Sequence, residues 1–301
     1  MSVRSRGSRL GQRRQLWAYA FLLVPLLFFI IVRFAPTLFA MSVSLRRWDI
    51  LSPNKPWVGL ANYKELFADP VFWKSLANTL AYVGLSVPLQ LVIGLAIALL
   101  LQSAKRYKGF FRALYFIPYV TSTVAISWVW RWMYQPNVGL LNRFLSLFGV
   151  PDQKFLASPE QALPSIVVVL VWQALGFYVI IFLAGLESIP VDFYEAAKID
   201  GASGVDLFRH VTIPLLNPTL VFLSIIGVIT GIQVFTQVLN MSFQGMGGPL
   251  DSTKSLVLFI YQQAFQRFKM GYASAGTVVL FAIILVITLI QLRVTTRKVE
   301  Y

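Results

Sequence analysis

Six long apolar stretches, separated by polar loops, set the pattern of this chain. They cover about 16–40, 80–101, 113–132, 165–186, 215–239 and 273–292. A helix needs about 20 residues to cross roughly 30 Å of hydrocarbon, and each stretch is of that order. The runs are continuous rather than alternating, which predicts helices and not barrel strands. The expected architecture is therefore an all-α integral membrane protein, a bundle of six transmembrane helices with a membrane domain over 16–293. The first run holds Pro25, Arg33 and Pro36. It outlasts the roughly 7–15 apolar residues of a signal peptide and reads as a retained helix. Arg33 lies near its far end, where the guanidinium can reach the interface. Pro88 and Pro118 fall inside the second and third runs, where they predict kinks.

Composition supports the bilayer as solvent. The chain is 57% hydrophobic and 13% charged, about half the charge of a soluble domain. The net charge of +14 comes from 26 Lys and Arg against 12 Asp and Glu. In a soluble protein this would raise nucleic acid as a partner. In a membrane chain it reads as basic residues holding cytoplasmic loops inside, with lipid and not nucleic acid as the surroundings. Arg4, Arg6, Arg9, Arg13 and Arg14 precede the first span without an acid, and Lys105, Arg106, Lys108 and Arg112 crowd the loop after the second. Both segments are expected in the cytoplasm. The tails 1–15 and 294–301, the latter with Arg297 and Lys298, then lie on one side, as does the polar loop 187–214. Trp128, Trp130 and Trp132 suit an outer aromatic belt. There is no cysteine and one histidine, His210, so no thiolate or histidine-based metal site is expected.

The loop 187–214 carries the most information. Pro190 and Asp192 can open a helix, the acid favouring its N-terminal end. Glu195-Ala196-Ala197 continues it with good helix formers, and Gly201 ends or kinks it. A second short helix can follow through Asp206-Leu207-Phe208-Arg209. Pro214 is then expected to start the fifth span, where its missing N–H is harmless. Two short helices at a bend, with alanines and a glycine between them, make a flat surface that a partner can approach.

This loop resembles the cytoplasmic loop of ABC-importer permeases. That family's pattern is Glu-Ala-Ala, three residues, Gly, nine residues, then two aliphatics around one residue and a Pro. Glu195-Ala196-Ala197, Gly201, Val211 and Ile213-Pro214 fit it, with isoleucine where leucine is common. The similarity extends to Gly59-Leu60-Ala61-Asn62-Tyr63, Asn78-Thr79, Phe116-Ile117-Pro118, Gly139-Leu140-Leu141-Asn142, Gly247-Gly248-Pro249 and Gly271-Tyr272-Ala273-Ser274-Ala275. These look like the sugar and glycerol-phosphate branch, maltose-permease type. The resemblance implies a coupling helix docked in a cleft of a separate ATPase subunit, with Tyr194, Glu195, Ala196, Ala197, Asp200, Gly201, Ala202, Asp206 and Phe208 forming the docking surface. It implies two ATPase subunits that hold ATP and Mg, a second homologous permease, an extracytoplasmic solute-binding protein, and a prokaryotic plasma membrane. No cofactor is implied on this chain, and no enzyme activity. The nearest phosphate-loop look-alike, from Gly248 to Lys254-Ser255, has Thr253 where its second glycine must stand.

Polar and aromatic residues inside spans point to a solute path. Tyr119 and Thr123 lie four apart on the third span, as do Gln173 and Phe177 on the fourth. Gly227, Thr230, Gly231 and Val234 form a stripe on the fifth, with Gln233 and Gln237 beside it. Neutral hydrogen-bonding groups with aromatic faces suit a sugar or polyol; helix packing seams use the same small residues. Sugar, glycerol-phosphate ester and compatible solute all fit the resemblance. The competing reading is an ion-coupled secondary transporter of a small polar solute. It usually needs charged groups buried in mid-membrane, and the second, fourth, fifth and sixth spans have none in their interiors.

Overall fold

The computed structural model describes residues 6–104, 106 and 108–295. Arg4, Lys105, Arg297 and Lys298 lie outside the described residues. The chain divides into two compact units, one of Met1–Leu66 with Gln263–Val278 and one of Phe67–Gln262 with Val279–Tyr301.

In the first unit, α1 (Arg6–Phe29) and α2 (Ala35–Ser44) join through a π turn, Ile30–Phe34. The helix starts at Arg6, well before the apolar run. The π turn holds Arg33 and immediately precedes Ala35-Pro36. Its wider ladder, with the Ala35 N–H on the Ile30 carbonyl, carries the helix past a residue that has no N–H to give. None of the apolar window in Arg14–Ser44 is buried. Beyond it, Asn62 at the start of α3 (Ala61–Ala68) clamps the returning loop. Its Nδ2 donates to the carbonyls of Ser44 (2.7 Å) and Arg46 (2.9 Å), and the Tyr63 hydroxyl meets Ser44 Oγ at 2.7 Å.

The second unit is built round three helices: α4 (Pro70–Ser103), α5 (Lys108–Val120) and, after α6 (Thr123–Met133) and α7 (Leu140–Ser146), α8 (Pro159–Glu187). α8 is the hub. Of its apolar window 56% is buried, against 28% for α4. One core cluster gathers Tyr82, Ile166, Val238 and Met241; another gathers Leu95, Phe182, Leu186, Leu216 and Leu223. α4 begins at Pro70, earlier than the apolar run at 80, because Asp69 caps it. The Asp69 carboxylate accepts the Val71 N–H at 2.8 Å, and Pro70 occupies the first turn. α4 continues through Pro88 as one helix.

Two other spans are not the continuous helices expected. The third is bent by 93° between α5 and α6 at Thr121-Ser122, three residues after Pro118 removes a donor from the ladder. The fifth does not start at Pro214. After α9 (Val191–Ile199), the segments α10 (Gly204–Leu207) and α11 (Ile213–Leu215) run as one helix through a π turn, Phe208–Thr212. That turn gives the Ile213 N–H to the Phe208 carbonyl and so accommodates Pro214 inside the helix. The chain then bends by 65° into α12 (Asn217–Ile232), where Pro218 takes the first-turn place. α12 stops at Ile232, and the non-helical Gln233 and Phe235 precede α13 (Thr236–Met241). The short α14 (Leu256–Tyr261) follows, and α15 (Met270–Thr295) is the last helix. Among the described residues, four helices are long and apolar enough to cross a membrane, or six spans if each bent pair is counted as one.

Asparagines again hold the loops. Asn78 Nδ2 donates to the carbonyls of Asp251 (2.8 Å) and Lys254 (3.1 Å), and Thr79 Oγ1 accepts the Leu256 N–H at 2.8 Å. Asn142 donates to Pro136 and Gln153 carbonyls and accepts the Gln153 N–H. α5 and α8 meet at Gly176. A Cβ there would strike the Tyr115 carbonyl oxygen and come within 2.8 Å of Phe116 Cα. Gly176→Val is therefore expected to force the helices apart at a cost of about 1–3 kcal/mol or more. Fluorescence-detected size-exclusion after heating in detergent should show a lower midpoint than wild type; an unchanged midpoint would mean that the contact is not tight.

Candidate functional site

Two of the helix breaks of the second unit, between α5 and α6 and between α12 and α13, border one cavity of about 460 Å³. Nine residues proposed from sequence for a solute path line it, Tyr119, Thr123, Gln173, Phe177, Gly227, Thr230, Gly231, Gln233 and Val234, and Gln237, noted beside them, does too. They arrive by a different route from the one expected. Tyr119 and Thr123 are not one face of a continuous helix; they flank the bend between α5 and α6. Val234 is not part of a helical stripe either. It is buried in the non-helical step after α12, beside the exposed Gln233.

Gln173 is the centre of the polar lining. It is buried, its Nε2 donates to Thr123 Oγ1 at 3.1 Å, and its Oε1 accepts from Gln237 Nε2 at 3.1 Å. One amide on α8 thus joins the start of α6 to α13, one residue group beyond each break. Tyr119 stacks on Phe177, with ring centres 5.3 Å apart and planes 20° from parallel. Thr230 turns its hydroxyl back to the carbonyls of Ile226 and Gly227. Among the described residues, no lysine, arginine, histidine, aspartate or glutamate lines the cavity. Ser86 and Gln90 on α4 also line the cavity and went unnoticed in the sequence. Gln90 donates to the Leu170 carbonyl. A glutamine inside a long apolar run was the signal that could have found it.

The second site is the surface at α9 and α10. Asp200 ends α9 and Gly201 follows at φ +87°. The Ala202 N–H bonds the Ala197 carbonyl at 2.9 Å and the Gly201 N–H bonds Lys198 at 3.0 Å. This is a Schellman closure, whose left-handed residue is most readily glycine. Glu195, Ala196, Asp200, Gly201, Asp206 and Phe208 are exposed, while Ala197 and Ala202 are half-buried. Tyr194, grouped with these residues from sequence, turns instead toward the core cluster of Leu186, Ile189 and Leu216. Its hydroxyl meets Thr212 Oγ1 at 3.2 Å, so it ties the loop to the core while remaining half-buried like Ala197 and Ala202. Two residues were missed: Ile199 and Val205 stand 87% and 77% exposed on either side of Gly201. They add apolar surface on both sides of the tight turn. His210 Nδ1 lies 3.1 Å from the Asp206 carbonyl within the same loop.

Elsewhere, the phosphate-loop look-alike has no free lysine: Lys254 Nζ pairs with Asp251 at 2.6 Å. Of the tryptophans, Trp128 and Trp132 are exposed, but Trp130 is half-buried against Tyr134 and Trp172.

Residues 70–300 match the family described as the binding-protein-dependent transport system inner membrane component. The chain belongs to that family. It is the permease subunit of an ABC importer and a multi-pass membrane protein. It is 34% identical over 287 residues to the trehalose/maltose transport system permease protein MalF of Thermococcus litoralis, covering 95% of this chain and 96% of the relative. It is 31% identical over 281 residues to the multiple sugar-binding transport system permease protein MsmF of Streptococcus mutans, covering 93% and 96%. Among solved structures, a chain of the bacterial alginate ABC transporter in complex with an alginate pentasaccharide-bound periplasmic protein superposes with a TM-score of 0.83 at 23% identity. That match covers 95% of this permease and 98% of that chain, and it shows the same fold.

Proposed function

We propose that this permease forms half of the translocation path for a neutral sugar. The uncharged cavity of amides, hydroxyls and stacked rings carries this reading, and the sugar systems named for its relatives support it. A glycerol-phosphate ester would bring its negative charge into a lining with no cation, where desolvation opposes it. The nine cavity residues are the ones proposed to meet solute.

The rest of the machine follows the family's plan. A second, homologous permease completes the path, and an extracytoplasmic binding protein delivers the solute. Two ATPase subunits hold ATP and Mg and receive the surface around Gly201. Both tails, 1–15 and 294–301, face the cytoplasm of a prokaryotic cell, with the coupling loop 187–214 on the same side. Reconstituted with its subunits and binding protein in liposomes, the complex is expected to take up a neutral disaccharide or oligosaccharide only when ATP is supplied. Uptake of glycerol phosphate in preference, or uptake driven by an ion gradient without ATP, would contradict the reading.

A further inference from the structure

The base of the third span is tied to the root of the coupling loop. Arg112 on α5 meets Glu187, the last residue of α8, with Nη2 and Oε1 2.6 Å apart. The Arg112 Nε is shut away from solvent with no acceptor. The guanidinium is therefore lodged against α8 rather than free in water. Sequence reading gave Arg112 only a share in the basic loop 105–112. Further along, α5 passes backbone-close to α8 at Gly176. Further again, Tyr119 stacks on Phe177, and Thr123 just past the bend is held by Gln173. The two helices are thus fastened at three levels, from the cytoplasmic end to the cavity. α8 then runs through Ser188, Ile189 and Pro190 straight into α9.

We propose that Arg112 is a positioning residue: its ion pair with Glu187 makes α5 and α8 a single lever, so that movement of the α9 surface reaches the cavity wall at Tyr119 and Thr123 without slip. This rests on the reading of α9 as the ATPase-docking element. The pair is half-exposed, with side chains 39% and 53% accessible, and pairs of that kind add little to stability. Its loss should leave the subunit folded and show up in coupling.

The chain has no cysteine, so a single introduced thiol is the only one on this subunit, and its labelling is read on the separated subunit. Thr121→Cys places one at the bend between α5 and α6. In the full reconstituted complex, its rate of labelling by a small maleimide is compared without nucleotide and after vanadate trapping with ATP. The rate is expected to change between the two states. Arg112→Gln and Glu187→Gln should each diminish that change while ATP is still hydrolysed, because the contacts at Gly176 and Tyr119 remain, and Arg112→Glu with Glu187→Arg should restore it. An undiminished change in both single variants, or failure of the reversed pair to restore it, would overturn the lever. A second measurement asks the converse. Joining Arg112→Cys to Glu187→Cys with a short bifunctional thiol reagent, in a subunit with Thr121 unchanged, should leave ATP-driven uptake intact; its loss would mean that the helices slide past each other. No change in the Thr121→Cys background itself would strike at the docking reading instead, and the lever would fall with it.

Discussion

Gly201→Arg is expected to abolish ATP-coupled transport while leaving the subunit folded in the membrane. Gly201 sits at φ +87° with nothing within 4 Å of an added Cβ, so the free loop has room for a side chain. The backbone cost of holding an L-residue left-handed is about 1–2 kcal/mol. The larger penalty arises at docking. An arginine there would stand between Ile199 and Val205, on the face proposed to receive the ATPase, and an unmatched charge in such an interface costs several kcal/mol. Gly201→Asn, a residue that visits this conformation more readily, should retain most activity. Gly201→Ala should fall between the two. The measurement is ATPase activity of the reconstituted complex with and without binding protein, alongside the amount of this subunit in the membrane. Stimulated activity in Gly201→Arg equal to wild type would remove this surface from the coupling path.

Gln173→Leu is expected to cut solute uptake by about tenfold or more, with the ATPase still bound. The side chain is buried and serves two partners, Thr123 and Gln237, on the far sides of two helix breaks. Leucine leaves both half-buried groups without it, so the loss falls toward the low end of the about 1–3 kcal/mol of a fully buried unsatisfied group, where about 1.4 kcal/mol is a factor of ten. Gln173→Glu retains the acceptor for Gln237 and loses the donor to Thr123, so it should lie between. Thr230→Leu should act more weakly, because the Thr230 hydroxyl is bonded to its own helix. Initial uptake rates of a labelled disaccharide, normalised to assembled complex, decide the order. Wild-type rates in Gln173→Leu would place the solute elsewhere.

The all-helical membrane architecture was legible because lipid demands length and hydrophobicity; the six apolar runs correspond, among the described residues, to four helices of spanning length, or six spans if each bent pair is counted as one. Gly201 was legible because few residues other than glycine close a helix in a left-handed step. Span ends were less so. The start of α4 was misplaced because Asp69-Pro70 is a local capping signal outside the apolar run. Pro214 looked like a helix start because a sequence does not show that a π turn can carry the helix past it. Pro118 announced a kink but not a 93° bend at Thr121-Ser122, and the break at 233–235 lies in a run read as one span; these two breaks bring the cavity residues together. Gln173, Tyr119 and Thr230 were found as polar or aromatic residues in apolar surroundings, a signal independent of the backbone path. Ile199 and Val205 were overlooked because an exposed apolar residue looks like a core residue until the fold shows where it points. The shared asparagines Asn62, Asn78 and Asn142 were recognised as resemblance, and the structure gives them a common physical task in closing loops.

The central claim, that this chain works as one half of an ATP-driven importer, is tested most directly by purifying the tagged chain from native membranes in mild detergent, identifying what accompanies it and assaying ATP hydrolysis. A second permease and an ATPase in the same particle, with hydrolysis raised by a solute-loaded binding protein, is the predicted result. A lone chain without ATPase activity, still able to carry solute in liposomes, would contradict it.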